Sequence, residues 1–299
     1  MSRFEMNQIK GVIPAMMTFF DKEENVDTEC TRRMVEFMLE HGADGFYLTG
    51  STGECFTMTM EERNLVVDTV IDQVKGRVPV VVHVGDIGTK KSIELAEHAY
   101  RAGADAISSV PPFYWKFRAG DIYNYYRDIS ESTPLPMVVY NIQLAGLMDM
   151  DLLLQLAGLP NVHGLKYTAR SHDEMGFIKE TLGPDFMIYS GCDEMAFSGR
   201  CSGADGIIVK LGDEAMAKSH ILQSYANTLW LGQTVWLTMK ASRIRVSFPE
   251  DSCLSFVAME GISGEISANL QRVCQYTVDS NAAILTNGNG ILLCNRLIA

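Results

Sequence analysis

Two phrases decide the fold: AGADAI at Ala102–Ile107 and SGADGI at Ser202–Ile207. Each reads as the end of a helix, a turn and the first residues of an apolar strand. Similar wording, HGADGF, stands at His41–Phe46. A helix-to-strand junction that recurs in this way belongs to a chain that alternates the two elements, and such alternation builds parallel sheet.

Working outward from these junctions, short apolar runs fall at Gly11–Met17, Gly45–Leu48, Val78–Val84, Ala106–Val110, Met137–Asn141, Val162–Tyr167, Met187–Ser190 and Gly206–Val209. Most are rich in Val, Ile or aromatics and apolar on both faces, as strands are when both sides of a sheet are covered. Amphipathic stretches lie between them, at Thr28–His41, Thr59–Val74, Lys90–Ala102, Ala119–Ser130, Asp149–Ala157, Asp173–Leu182 and Asp193–Ser202. Gly42, Gly103, Gly158, Gly183 and Gly203 follow helical patterns, where a left-handed C-cap favours glycine. Eight strands alternating with helices predict a closed (β/α)₈ TIM barrel over residues 1–210. The rival, an open doubly wound sheet, lacks its GxGxxG turn after the first strand. Residues 211–299 are expected to form a C-terminal helical extension packed on the barrel, with helices at Asp213–Leu231 and Val235–Arg245 and further helix to about Ser280. The two Asn-Gly pairs in AILTNGNGILLCNRLIA signal a turn rather than a helix.

Composition narrows the function. The 299 residues carry a formal net charge of −12, which provides no footprint for nucleic acid or an anionic membrane. No apolar run is long enough to span a bilayer. Polar and charged residues occupy Met1–Lys10, where a signal peptide needs its apolar stretch. The seven cysteines show no CxxC spacing and the six histidines no HExxH pairing. The expectation is a cytoplasmic protein without metal or cofactor that acts on a small molecule.

In a barrel the chemistry sits at the carboxyl ends of the strands. There the sequence offers Gly50-Ser51-Thr52-Gly53-Glu54, Tyr140-Asn141, Lys166-Tyr167-Thr168 and Gly191-Cys192-Asp193-Glu194. Lys166 is the sharpest signal, because lysine is rarely buried in a strand without a partner or a purpose. Desolvation lowers an amine's pKa and leaves some of it neutral and nucleophilic. A strand-end lysine paired with a carboxylate would look the same in sequence. From the residue alone Tyr140 reads first as a core tyrosine with its hydroxyl satisfied, and otherwise as a phenol placed for proton relay. The Gly50–Glu54 turn offers hydroxyls and amides to an anion, or is an ordinary capped turn. Asp193 and Glu194 suit polyol hydroxyls, or the start of the next helix.

Together these residues resemble the N-acetylneuraminate lyase and dihydrodipicolinate synthase superfamily of class I aldolases. The matching phrases are GVIPAMMTFF (Gly11–Phe20), GSTGE (Gly50–Glu54), PPFYW (Pro111–Trp115), PMVVYN (Pro136–Asn141), GLKYT (Gly164–Thr168) and GCDE (Gly191–Glu194). They keep the family's order and spacing over the first two-thirds of the chain. The resemblance implies that Lys166 forms a Schiff base and that Tyr140 gives and takes the proton. Ser51 and Thr52 would hold a pyruvate carboxylate, while Thr168, Gly191, Asp193 and Glu194 would line the sugar-chain pocket. It also implies a homotetramer and retro-aldol cleavage of sialic acid or a related 2-keto sugar acid to pyruvate. GSTGE and PPFYW match the lyase wording, and Ile142-Gln143-Leu144-Ala145-Gly146 lacks the arginine the synthases carry there. Val209 and Lys210 depart from the lyases' Gly-Ser-Thr strand end, and Gln143 replaces a usual proline. A pyruvate aldolase for another sugar acid, a synthase, and a barrel that only binds its ligand therefore stay open as alternatives.

Overall fold

The computed structural model describes residues 3–210 together with Arg245–Ser247, Ser255–Val257, Leu285–Asn287 and Gly290–Leu292. The chain divides into two compact units, Met1–Gly212 and Asp213–Ala299.

In the first unit eight parallel strands close on themselves. They are β1 (Gly11–Ala15), β2 (Phe46–Leu48), β3 (Val80–His83), β4 (Ala106–Ser109), β5 (Met137–Ile142), β6 (Val162–Thr168), β7 (Met187–Ser190) and β8 (Gly206–Lys210). The seam is the β1–β8 pair, in which Gly11 lies opposite Gly206 and Ala15 opposite Lys210. Helices α1 (Thr28–Glu40), α2 (Met60–Val74), α3 (Thr89–Ala102), α4 (Ala119–Ser132), α5 (Met150–Ala157), α6 (His172–Leu182) and α7 (Ala196–Cys201) follow the first seven strands in turn. The expected barrel is the observed one. Ile13, Val81, Val138 and Ile208 pack with Tyr47, Tyr140 and Tyr189 in its core. Each fully buried aliphatic side chain of this kind contributes about 1.5–3 kcal/mol.

The repeated GAD junction has a physical role. The Asp44 amide donates to the Val12 carbonyl at 2.9 Å, and the Asp44 carboxylate accepts from the Val12 amide at 2.8 Å. Asp105 clamps Val80 in the same two-point way, at 2.9 Å and 2.9 Å, and Asp205 clamps Ile188 at 2.7 Å and 2.8 Å. Each aspartate thus satisfies the first free amide of the preceding strand and sets the register of a strand pair: β1–β2, β3–β4 and β7–β8. Between β5 and β6 the position holds Asn161, whose backbone carbonyl takes the Met137 amide at 2.7 Å while its side chain turns to Ser130. That pair alone among these four carries a register shift, at Met137/Val138. Gly11, at φ +88, lies where any Cβ would collide with the Asp44 carboxylate.

The helices start where the sequence supplies caps. Asp27 accepts from the Cys30 amide, Thr59 and Glu62 form a reciprocal capping box, and Asp149 accepts from the Leu152 amide. Gly42, Gly103, Gly183 and Gly203 have positive φ, as their positions predicted. Gly158 does not: it stays right-handed at φ −78, because its amide still bonds back to Gln155 and Leu156 in the last turn. The stretch expected as one helix from Asp193 opens as a 3-10 turn, Asp193–Met195, before α7.

In the second unit the described segments are strands. β9 (Arg245–Ser247) pairs antiparallel with β10 (Ser255–Val257), and β11 (Leu285–Asn287) with β12 (Gly290–Leu292). The β9–β10 pair stands where helix was expected; Val246 faces Phe256 there, a β-branched and aromatic pairing that favours strand. Asn287 opposite Gly290 places a chain reversal among the Asn-Gly pairs read as a turn. The expected helix Asp213–Leu231, and Val235–Arg245 up to its last residue, lie outside the described residues.

Candidate active site

Lys166 lies on β6 in register with Tyr140 on β5 and Tyr189 on β7. Parallel neighbours in register turn their side chains to the same side, and both tyrosines belong to the barrel core. Lys166 is only 4% exposed. Its Nζ sits 4.0 Å from the centroid of the Tyr47 ring and 4.1 Å from that of Tyr140. Two aromatic faces therefore hold the amine inside the barrel mouth and replace much of its water. The Tyr47 hydroxyl is anchored in turn by a 3.1 Å bond to Ser108 Oγ.

Tyr140 lies within β5, two residues before its end, with its hydroxyl toward Ser51 and Thr168. Burial pushes its pKa up to about 12, against the pull of the Thr168 and Ser51 hydroxyls. Near neutral pH it is thus a phenol and begins any reaction as a donor. Thr168 Oγ1 lies close enough to oppose that rise, yet it completes no hydrogen bond of good geometry among the described residues. This hydroxyl is therefore a buried polar group suited to a ligand.

Gly191, just past β7, gives both side chains their space. A methyl group there would collide with Thr168 Oγ1 and stand 3.2 Å from Lys166 Cε. Asp193 opens the 3-10 turn that follows, half-buried at the rim. The backbone of Glu194 continues that turn, while its side chain lies outside the described residues, as do those of Val209 and Lys210.

Ser51, Thr52 and Gly53 form a tight 3-10 turn after β2. The Gly53 and Cys55 amides bond to the Gly50 carbonyl, and the Glu54 amide to Ser51. The first amides of the turn, Ser51 and Thr52, have no partner within it, which suits an anion. Gly50 is required here because a Cβ would press on the Tyr47 ring at 2.7 Å. Beside the turn a cavity of about 310 Å³ is lined by Ser51, Glu54, Phe56, Val110, Phe113 and Leu144, among others.

The structure thus brings Lys166, Tyr140, Ser51, Thr168 and Gly191 together and sets Thr52 and Asp193 in the two turns that frame them. Sequence reasoning missed Tyr47 and His83. Both sit in strands apolar throughout, where an aromatic reads as core. Tyr47's position three residues before Gly50 was the available signal.

Among the described residues no group of three His, Cys, Asp or Glu could hold a metal ion, and no helix is long and apolar enough to cross a membrane. What the fold and the site define is an α/β barrel with a primary amine buried at the carboxyl ends of its strands, beside a phenol and a polar turn. The chain belongs to the dihydrodipicolinate synthetase family, whose model matches residues 8–226. It is 42% identical over 201 residues to the N-acetylneuraminate lyase of Citrobacter koseri, covering 66% of this chain and 67% of that one. Among solved structures it is similar to a catalytic-lysine mutant of the Ruminococcus gnavus sialic acid aldolase, with TM-score 0.68 and 33% identity over 74% of this chain and 72% of that one. A Clostridium difficile protein in complex with mannosamine matches with TM-score 0.68 and 30% identity over 74% and 75% of the two chains.

Proposed function

We propose that this chain is a class I aldolase, a carbon–carbon lyase that cleaves N-acetylneuraminate to N-acetylmannosamine and pyruvate through a Schiff base on Lys166. The observation that carries the reading is the Lys166 amine, buried between two tyrosine rings beside the Tyr140 hydroxyl. The relatives named as N-acetylneuraminate lyase and sialic acid aldolase support the choice of substrate.

Ser51 and Thr52 bind the carboxylate and direct the adjacent keto carbon to Lys166 Nζ. The amine adds to that carbon, and Tyr140 gives its proton to the departing hydroxyl, which leaves as water. The iminium cation that remains stabilises the Tyr140 phenolate beside it. The phenolate then takes the proton of the C4 hydroxyl as the C3–C4 bond breaks, releasing the aldehyde and placing the electron pair in an enamine. Tyr140 next protonates C3. Water adds to the pyruvate iminium and returns a proton to the phenolate, which frees pyruvate and restores both side chains. Proton relay of this kind contributes about 10²–10⁴-fold. Thr168, Gly191, Asp193 and Glu194 line the side that takes the sugar chain.

The reading includes the homotetramer implied by the family resemblance and a cytoplasmic setting. The exposed side chains of Tyr114, Trp115 and Leu144 supply apolar surface for such an assembly. The test of substrate is a turnover screen coupled to pyruvate detection. N-Acetylneuraminate should release pyruvate faster than hexulosonic acids do; faster release from a hexulosonic acid would move the protein to another sugar acid.

A further inference from the structure

His83, the last residue of β3, touches two loops of the barrel mouth. Its Nδ1 stands 3.0 Å from the Thr49 carbonyl oxygen and its Nε2 3.3 Å from the Val110 amide nitrogen. A backbone amide can only donate, so Nε2 accepts and the ring proton sits on Nδ1, donating to Thr49. One state alone serves both bonds: a neutral imidazole protonated on Nδ1. The surroundings enforce it. The ring is 1% exposed, and burial, then the nearby Arg63 guanidinium, push its pKa far down, with the Lys166 amine adding to the effect. Arg63 itself donates to the His83 carbonyl at 3.0 Å and the Gly85 carbonyl at 3.2 Å, and pairs with Asp86 at 3.5 Å. The Cys55 thiol lies 3.8 Å from Nδ1. Because that nitrogen already carries its proton toward Thr49, it is no base for the thiol, and burial pushes Cys55 up to about 11.

The two partners matter for where they stand. Thr49 immediately precedes the Gly50–Thr52 turn and holds φ +49, a conformation that β-branched residues rarely adopt. Its hydroxyl donates back to the His83 carbonyl at 2.8 Å, so residues 49 and 83 are tied twice. Val110 lines the cavity beside the turn together with Phe113, three residues further on. The ring also packs edge-on to Tyr140, with centroids 6.1 Å apart. Strain held at one point by surrounding bonds is characteristic of a backbone fixed for binding.

We propose that His83 is a positioning residue, which staples the Thr49 carbonyl to the Val110 amide and so holds the Ser51–Thr52 turn where it captures the substrate carboxylate. This rests on the reading of that turn given above. Borohydride reduction separates the two, with pyruvate and with acetone, a ketone that lacks the carboxylate. His83→Asn can still donate toward Thr49 but is too short to reach Val110. Its half-saturating pyruvate concentration should rise by about tenfold, as the loss of one buried hydrogen bond predicts, while acetone trapping at Lys166 changes by less than about twofold. Equal losses with both ketones, or no loss with pyruvate, would overturn the positioning role alone. A wild-type protein that captures no pyruvate at Lys166 would remove the reading of the site and this role with it. Should His83→Asn not fold, Thr49→Ala, which deletes the second tie, should show a smaller loss confined to pyruvate; unchanged pyruvate capture would overturn the proposal.

Discussion

Replacing Gly191 by alanine adds one methyl group at the most crowded point of the site. The backbone there has no positive φ, so space alone decides the outcome. The new methyl would overlap Thr168 Oγ1 and stand 3.2 Å from Lys166 Cε. Thr168 is β-branched and turns stiffly about χ1, and the Lys166 amine is held by the rings of Tyr47 and Tyr140. Relief therefore comes by moving the amine, the Thr168 hydroxyl, or both. Overpacking by a methyl costs about 1–3 kcal/mol. If that cost falls on the reactive geometry, at about 1.4 kcal/mol per tenfold, kcat/KM drops about 5–150-fold. Steady-state release of pyruvate from N-acetylneuraminate measures it, with a thermal melt to show that the fold persists. The double variant Gly191→Ala/Thr168→Ala removes the hydroxyl the methyl meets. It should recover pyruvate capture by Lys166 while sugar-acid turnover stays low. Wild-type kcat/KM in the single variant would refute the packing argument.

Tyr140→Phe keeps the ring against Lys166 and removes only the hydroxyl, so turnover should fall by about 10²–10⁴-fold with little change in melting temperature; wild-type turnover would remove Tyr140 from the proton relay. The protein should also lose stability in alkali. Burial raises the pKa of Tyr140 to about 12 and that of Tyr47, Tyr126 and Tyr189 above the usual value. A folded pKa above the unfolded one stabilises fully below the unfolded pKa of about 10, and the contribution is lost as pH rises through the folded value. Each such group then removes about 1.4 kcal/mol per pH unit, so denaturant melts from pH 8 to 11 should fall beyond pH 10; a flat profile would contradict the burial of these phenols.

The barrel was legible because most of its strands are apolar on both faces, a pattern imposed by burial on both sides of the sheet. Strand ends were less so. Val78–Pro79 reads as the start of β3, yet proline has no amide to donate and the strand begins at Val80. The GAD phrases announced strand junctions by their wording, but the double clamp by Asp44, Asp105 and Asp205 depends on side-chain direction, which periodicity does not carry. Lys166 stood out because a charge in a buried strand is anomalous. Tyr47 and His83 did not, since aromatic and neutral imidazole rings cause no break in an apolar run. Their contribution comes from partners distant in sequence: Ser108, two strands round the barrel, for Tyr47, and the backbones of Thr49 and Val110 for His83. In the second unit, β9 and β10 are three residues each, too short for a period to distinguish them from helix.

The proposed mechanism requires the buried amine of Lys166 to be the nucleophile. Borohydride reduction in the presence of pyruvate, followed by intact mass and peptide mapping, tests it directly. Reduction should leave one three-carbon adduct per chain, carried by the peptide that contains Lys166 and absent from Lys166→Arg. An adduct on another lysine, or none while pyruvate is released from a sugar acid, would contradict it.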